Sequence, residues 1–121
     1  MAEEGLSPQL QDQITRLQQL REQLSILAQQ RQQIDLQLKE IEEALKELKT
    51  TTDKTPIYRS IGSLLIKVKD KKELTTELTS NKETLDLRKN TIEKQEGRSR
   101  EKLTELQSKV ENALNLTSKA T

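Results

Sequence analysis

The chain has 121 residues, 21 Lys and Arg against 20 Asp and Glu, 34% charged residues against 31% hydrophobic ones, and a single aromatic ring, Tyr58. That composition excludes a conventional core packed from large side chains. The absence of His and Cys removes the commonest general base, the thiolate nucleophile, disulfides and nearly every zinc, haem or iron–sulfur ligand set, so no catalytic residue, metal or cofactor is predicted.

The few apolar residues are periodic, which separates this chain from a disordered one of similar composition. From Leu10 one row reads Leu10, Leu17, Leu24, Arg31, Leu38, Leu45, and the row three residues later reads Gln13, Leu20, Leu27, Ile34, Ile41, Leu48. A seven-residue repeat sustained over about six heptads predicts a coiled-coil seam. Ser7–Pro8 suits an N-cap and first helical position, and Lys46 and Lys49 suit the negative end of the dipole, so helix 1 is expected over 8–49. Of the two polar interruptions, Gln13 and Arg31, a seam residue of this kind fixes register or snorkels.

Residues 50–56 break the pattern, because three β-branched threonines and then Pro56 disfavour helix. Two short β-prone runs follow within 57–68, parted by Gly62–Ser63, and Gly at the first central position fits a type II′ hairpin turn. That turn puts Ile57, Ile61, Leu64, Ile66 and Val68 on one face, with Arg59 as the exception, and Tyr58, Ser60, Leu65 and Lys67 on the other. An isolated two-stranded hairpin with an apolar face and unpaired edges is marginal in water, so oligomerisation through 57–68 is expected.

Asp70 with Glu73 marks the start of helix 2, expected over 71–117. Leu78, Leu85 and Ile92 repeat every seven, while the row from Leu74 continues as Asn81, Arg88 and Gln95; the apolar series resumes at Leu103, Leu106, Val110, Ala113 and Leu114. The eleven-residue step from Ile92 to Leu103 is taken as a stutter with local unwinding near Gly97. Glu93, Lys94, Glu96, Arg98, Arg100, Glu101 and Lys102 are taken as a solvated face.

The expected fold is therefore mostly α: a long antiparallel coiled-coil helical hairpin with one β-hairpin between its helices, all in a single domain, 1–121. Mirroring about the connection pairs Ile41 with Leu78, Ile34 with Leu85 and Leu27 with Ile92, and it sets Arg31 near Arg88. It also brings the chain ends together, where Leu6, Leu10, Ile14 and Leu17 meet Val110, Ala113, Leu114 and Leu116. The plain reading of these eight is that they zip up the coiled coil. Glu3, Glu4 and Asp12 add negative charge there.

The stretch Thr55-Pro-Ile-Tyr-Arg-Ser-Ile-Gly-Ser-Leu-Leu-Ile-Lys-Val68, then Asp-Lys-Lys-Glu-Leu and Thr84-Leu-Asp-Leu-Arg-Lys-Asn-Thr-Ile-Glu-Lys-Gln-Glu96, closely resembles the β-type subunits of the prefoldin family, above all the archaeal ones. The resemblance covers nearly the whole chain, and a single hairpin between the helices fits the β type. It implies an α2β4 hexamer in which the hairpins of α-type and β-type subunits form β-barrels and the coiled coils hang down as tentacles. It further implies an ATP-independent holdase that captures unfolded polypeptides and delivers them to a group II chaperonin. On that reading the eight residues at the ends are client-binding, and Ile57, Tyr58, Ile61, Gly62, Leu64, Leu65, Ile66 and Val68 form the assembly hairpin.

Three further features bear on function class. No Gly-x-x-x-x-Gly-Lys-Ser/Thr loop suggests a nucleotide cycle. The most basic stretch, 51–75, carries only six cations against three acids, and one ring makes no stacking platform, so no nucleic-acid partner is expected. The acidic start and a longest apolar run of Leu64–Leu65–Ile66 predict a cytoplasmic protein with no membrane span, which takes about 20 apolar residues. The alternative to a chaperone is a structural coiled-coil spacer or tether, which would carry its heptads straight through residues 50–70.

Overall fold

The structure, a computed structural model, describes residues 6–120, with side chains described as far as Leu116. The elements are α1 (Pro8–Thr50), β1 (Tyr58–Ile61), β2 (Leu64–Lys67) and α2 (Lys71–Ala120), two long helices with an antiparallel hairpin between them.

Local chemistry sets each boundary. The Ser7 hydroxyl oxygen accepts the Leu10 amide at 3.0 Å, satisfying one of the free donors at the start of α1. At the other end the threonines turn back on the helix: the Thr50 hydroxyl donates to the Glu47 carbonyl (2.7 Å) and the Thr51 hydroxyl to the Leu48 carbonyl (2.8 Å). The Lys71 ammonium donates to the Thr51 carbonyl at 2.8 Å, placing a cation at the negative end of α1. For α2, the Asp70 carboxylate accepts the Lys72 amide at 2.9 Å and Glu73 lies in the first turn, where the dipole favours an acid.

The chain forms two compact units. One holds α1 up to Arg31 with α2 from Thr91; the other is Gln32–Asn90 and includes the hairpin. In the second unit Asp35 pairs with Lys89 (2.7 Å) and Glu42 with Lys82 (3.7 Å). Seven residues forward in one helix thus match seven backward in the other, so the helices run antiparallel. Ile34, Leu38 and Leu48 are buried along this unit's seam. In the first unit Leu10, Leu17 and Val110 are buried, and Arg31 meets Glu96 at 2.7 Å.

Burial along α1 follows the two predicted rows. Burial along α2 does not follow the row taken from Leu74: Asn81, Arg88 and Gln95 are exposed. The least exposed positions instead form two unbroken seven-residue series, Leu78, Leu85, Ile92, Ser99, Leu106, Ala113 and Thr75, Lys82, Lys89, Glu96, Leu103, Val110. The step from Ile92 to Leu103 is a change from one row to the other, so the heptad carries no stutter, and α2 is continuous α-helix through Gly97. A search for apolar residues alone missed the second row because Lys82, Lys89 and Glu96 occupy it.

The helix register differs from the expected one as well. The pairs Asp35–Lys89, Glu42–Lys82 and Arg31–Glu96 each lie five to eight residues beyond the mirrored positions, a slip of about one heptad. An apolar heptad maps onto itself after seven residues, so hydrophobic pattern cannot distinguish the two registers; the charges can. In the observed one, acids of α1 meet the lysines of α2, and Arg31 meets a carboxylate instead of Arg88.

Candidate functional site

In the hairpin, Tyr58 pairs with Lys67, Arg59 with Ile66, Ser60 with Leu65 and Ile61 with Leu64, and the Val68 amide donates to the Ile57 carbonyl at 2.8 Å. Cross-strand partners share a face, so the two predicted face sets hold. Gly62 has φ +60° and no non-glycine residue among those described has positive φ, which is the type II′ arrangement with Gly at the first central position.

Every residue of both strands is exposed. Ile66 is 45% exposed, Ile61 53%, Leu64 63%, Leu65 73% and Tyr58 57%, while Ile57 and Val68 at the strand bases are half-buried. The expected assembly hairpin is therefore an apolar, two-edged ribbon that its own chain leaves uncovered. Arg59, the exception on the apolar face, tethers the ribbon to α2: its guanidinium donates to both carboxylate oxygens of Glu77, at 2.9 and 3.0 Å. The hydrogen bond from Arg59, and then its charge, hold the Glu77 carboxyl below the usual carboxylate range, and the same pairing raises Arg59. Sequence reading missed Glu77; a bidentate Arg–carboxylate contact between residues 18 apart leaves no periodic trace.

The eight residues expected at the ends divide in two. Leu10, Leu17 and Val110 are seam residues, 5 to 7% exposed, whereas Leu6, Leu114 and Leu116 are 38%, 40% and 68% exposed. Ile14 and Ala113 are half-buried between these groups. Asp12 is exposed on the first unit, and Glu3 and Glu4 lie outside the described residues. A groove of about 450 Å³ on the same unit, floored by Leu20 and Leu106, has exposed charges of both signs around it, among them Arg16, Lys102, Glu105 and Lys109.

Glu96 is the other residue that sequence reading misplaced. It lies in the seam at 4% exposure, not on a solvated face, and accepts from the Arg31 Nε at 2.7 Å with Arg100 Nη2 at 3.8 Å from its second oxygen. Its position four residues after Ile92 was the available signal. Among the described residues no cluster of His, Cys, Asp and Glu could hold a metal ion, and no helix is long and apolar enough to cross a membrane.

Comparison with known proteins gives one answer. The model of the prefoldin subunit family matches residues 11–115. The chain is 46% identical over 119 residues to the prefoldin subunit beta of Thermoplasma volcanium, covering 98% of this chain and 96% of that one. It is 41% identical over 109 residues to that of Archaeoglobus fulgidus, covering 90% and 93%. The crystal structure of the prefoldin beta subunit from Thermococcus strain KS-1 superposes with a TM-score of 0.77 at 35% identity, over 89% of this chain and 94% of that one. With two long helices, one intervening hairpin and these relatives, the chain belongs to the prefoldin family, among its beta subunits.

Proposed function

We propose that the chain is the β-type subunit of an α2β4 chaperone that holds unfolded polypeptides without ATP and passes them to a group II chaperonin in the cytoplasm. Family membership carries a chaperone-associated role. The observation that supports client capture is the exposure of Leu6, Leu114 and Leu116 on the same unit as buried Leu10 and Val110. Apolar side chains that the coiled coil does not consume are free to cover apolar segments of a client, at about 1.5–3 kcal/mol for each side chain buried completely. Contacts from several subunits around one client would gain avidity from high effective concentration. The uncovered hairpin supports assembly with α-type and further β-type copies, since unpaired edges and an apolar face are removed together when strands join. A mere spacer has no use for that ribbon.

Truncation tests the reading. Removing residues 1–14 and 110–121 deletes Leu6, Leu10, Ile14, Val110, Ala113, Leu114 and Leu116 and leaves residues 57–68 untouched. The truncated chain, mixed with an α-type partner, is expected to reach the same oligomeric mass by native mass spectrometry while losing most of its suppression of aggregation of a chemically unfolded test protein. Equal protection by truncated and full-length complexes at matched concentration would place client binding elsewhere.

A further inference from the structure

We infer that the pair formed by buried Glu96 and half-buried Arg31 selects the helix register of the first unit and thereby positions its apolar ends. Glu96 is 4% exposed, and its carboxylate lies 2.7 Å from the Arg31 Nε. One heptad from this pair toward the ends brings Leu24 level with Leu103, and a second brings Leu17 level with Val110, both buried at 7% and 5%. The same seam could satisfy its apolar rows after a slip of seven residues, because Leu recurs at Leu10, Leu17 and Leu24.

The ion pair breaks that degeneracy. A slip of one heptad in one direction sets Glu96 level with Leu24, and a slip in the other sets Arg31 level with Leu103. Either way the buried Glu96 carboxylate loses its 2.7 Å contact with Arg31 and faces an apolar side chain in its place, which is more unfavourable than a mismatched Leu. Arg100, at 3.8 Å, is on the same helix as Glu96 and moves with it, so it cannot discriminate between registers. Buried ionic groups commonly add little net stability but can specify a unique pairing. Arg31 and Glu96 are thus positioning residues that hold Leu17 opposite Val110 and fix which apolar side chains remain exposed beyond them. This last consequence rests on the client-capture reading; the register claim does not.

The chain has no native cysteine, so engineered pairs report register directly. In the full chain, Leu17→Cys with Val110→Cys is expected to cross-link on mild oxidation, and Leu10→Cys with Val110→Cys, which requires the slipped register, is expected not to. Adding Arg31→Leu and Glu96→Leu together should keep the helix content and the thermal midpoint at or above those of the parent, yet raise the slipped cross-link at least tenfold. The exchanged pair Arg31→Glu with Glu96→Arg should suppress it again. If the doubly apolar variant still cross-links only in the native register, or the exchanged pair fails to restore register in a chain that remains helical, the inference is overturned. Loss of register without loss of aggregation suppression would uphold it and count against capture at the ends instead.

Discussion

Two glycines show how position decides the effect of one missing Cβ. Gly62 sits at φ +60° in the hairpin turn, a backbone conformation that costs an L-residue about 1–2 kcal/mol. Gly97 lies inside α2, exposed, with nothing within 4 Å of the position a Cβ would take. It is a tolerated helix glycine that loses backbone entropy on folding without a packing reason. Gly97→Ala is therefore expected to stabilise by about 1 kcal/mol, and Gly62→Ala to destabilise the hairpin by a similar amount. Thermal melts followed by circular dichroism check the first. Amide exchange at Arg59 and Ile66, a hydrogen-bonded pair two residues from the Ile57–Val68 bond, checks the second; equal protection in parent and variant would show that the turn does not depend on glycine.

At the scale of elements, the Arg59–Glu77 fork joins β1 to α2, and its contribution depends on pH with a definite sign. The folded-state Glu77 carboxyl is held below its ordinary value, so the stabilisation is fully present above the unfolded-state range near 4.3. It is lost as pH falls through the lower folded value. Both side chains are nearly half exposed, at 44% and 45%, so the tether is weak and screened by salt. Following the Glu77 carboxyl carbon by NMR, Arg59→Leu is expected to move its titration midpoint up toward the ordinary carboxylate range. An unchanged midpoint would mean that the fork does not form in solution. The helices' own polar contacts work differently: Lys89 and Lys82, both half-buried, bring cations to Asp35 and Glu42 beside the α1 seam.

For the whole molecule the decisive feature is the ribbon of 57–68, which the single chain leaves open. On the assembly reading, Ile61 and Ile66 enter a desolvated interface from their present 53% and 45% exposure. Replacing both with Asp would bury unpaired carboxylates there, while neither substitution touches a helix. Size-exclusion chromatography of the double variant mixed with an α-type subunit should show loss of the large complex, with helical circular dichroism retained. Retention of the full complex would remove the hairpin as the assembly site.

The sequence by itself determined the helices, the hairpin, its turn type and its two faces, because each rests on local rules: caps, β-branched breakers, alternation and a glycine in the left-handed region. It also determined the seam of α1, whose rows are almost wholly Leu and Ile. Only the tertiary structure decided the register of the helices and the second row of α2. A seven-residue apolar repeat is blind to a seven-residue slip, and the row is filled by Lys82, Lys89 and Glu96, whose burial depends on acids and an arginine brought from another part of the chain. The division of the α2 end residues into buried Val110 and exposed Leu114 and Leu116 was likewise decided there. All three are apolar in sequence, and the position of the opposite helix determines which of them it covers.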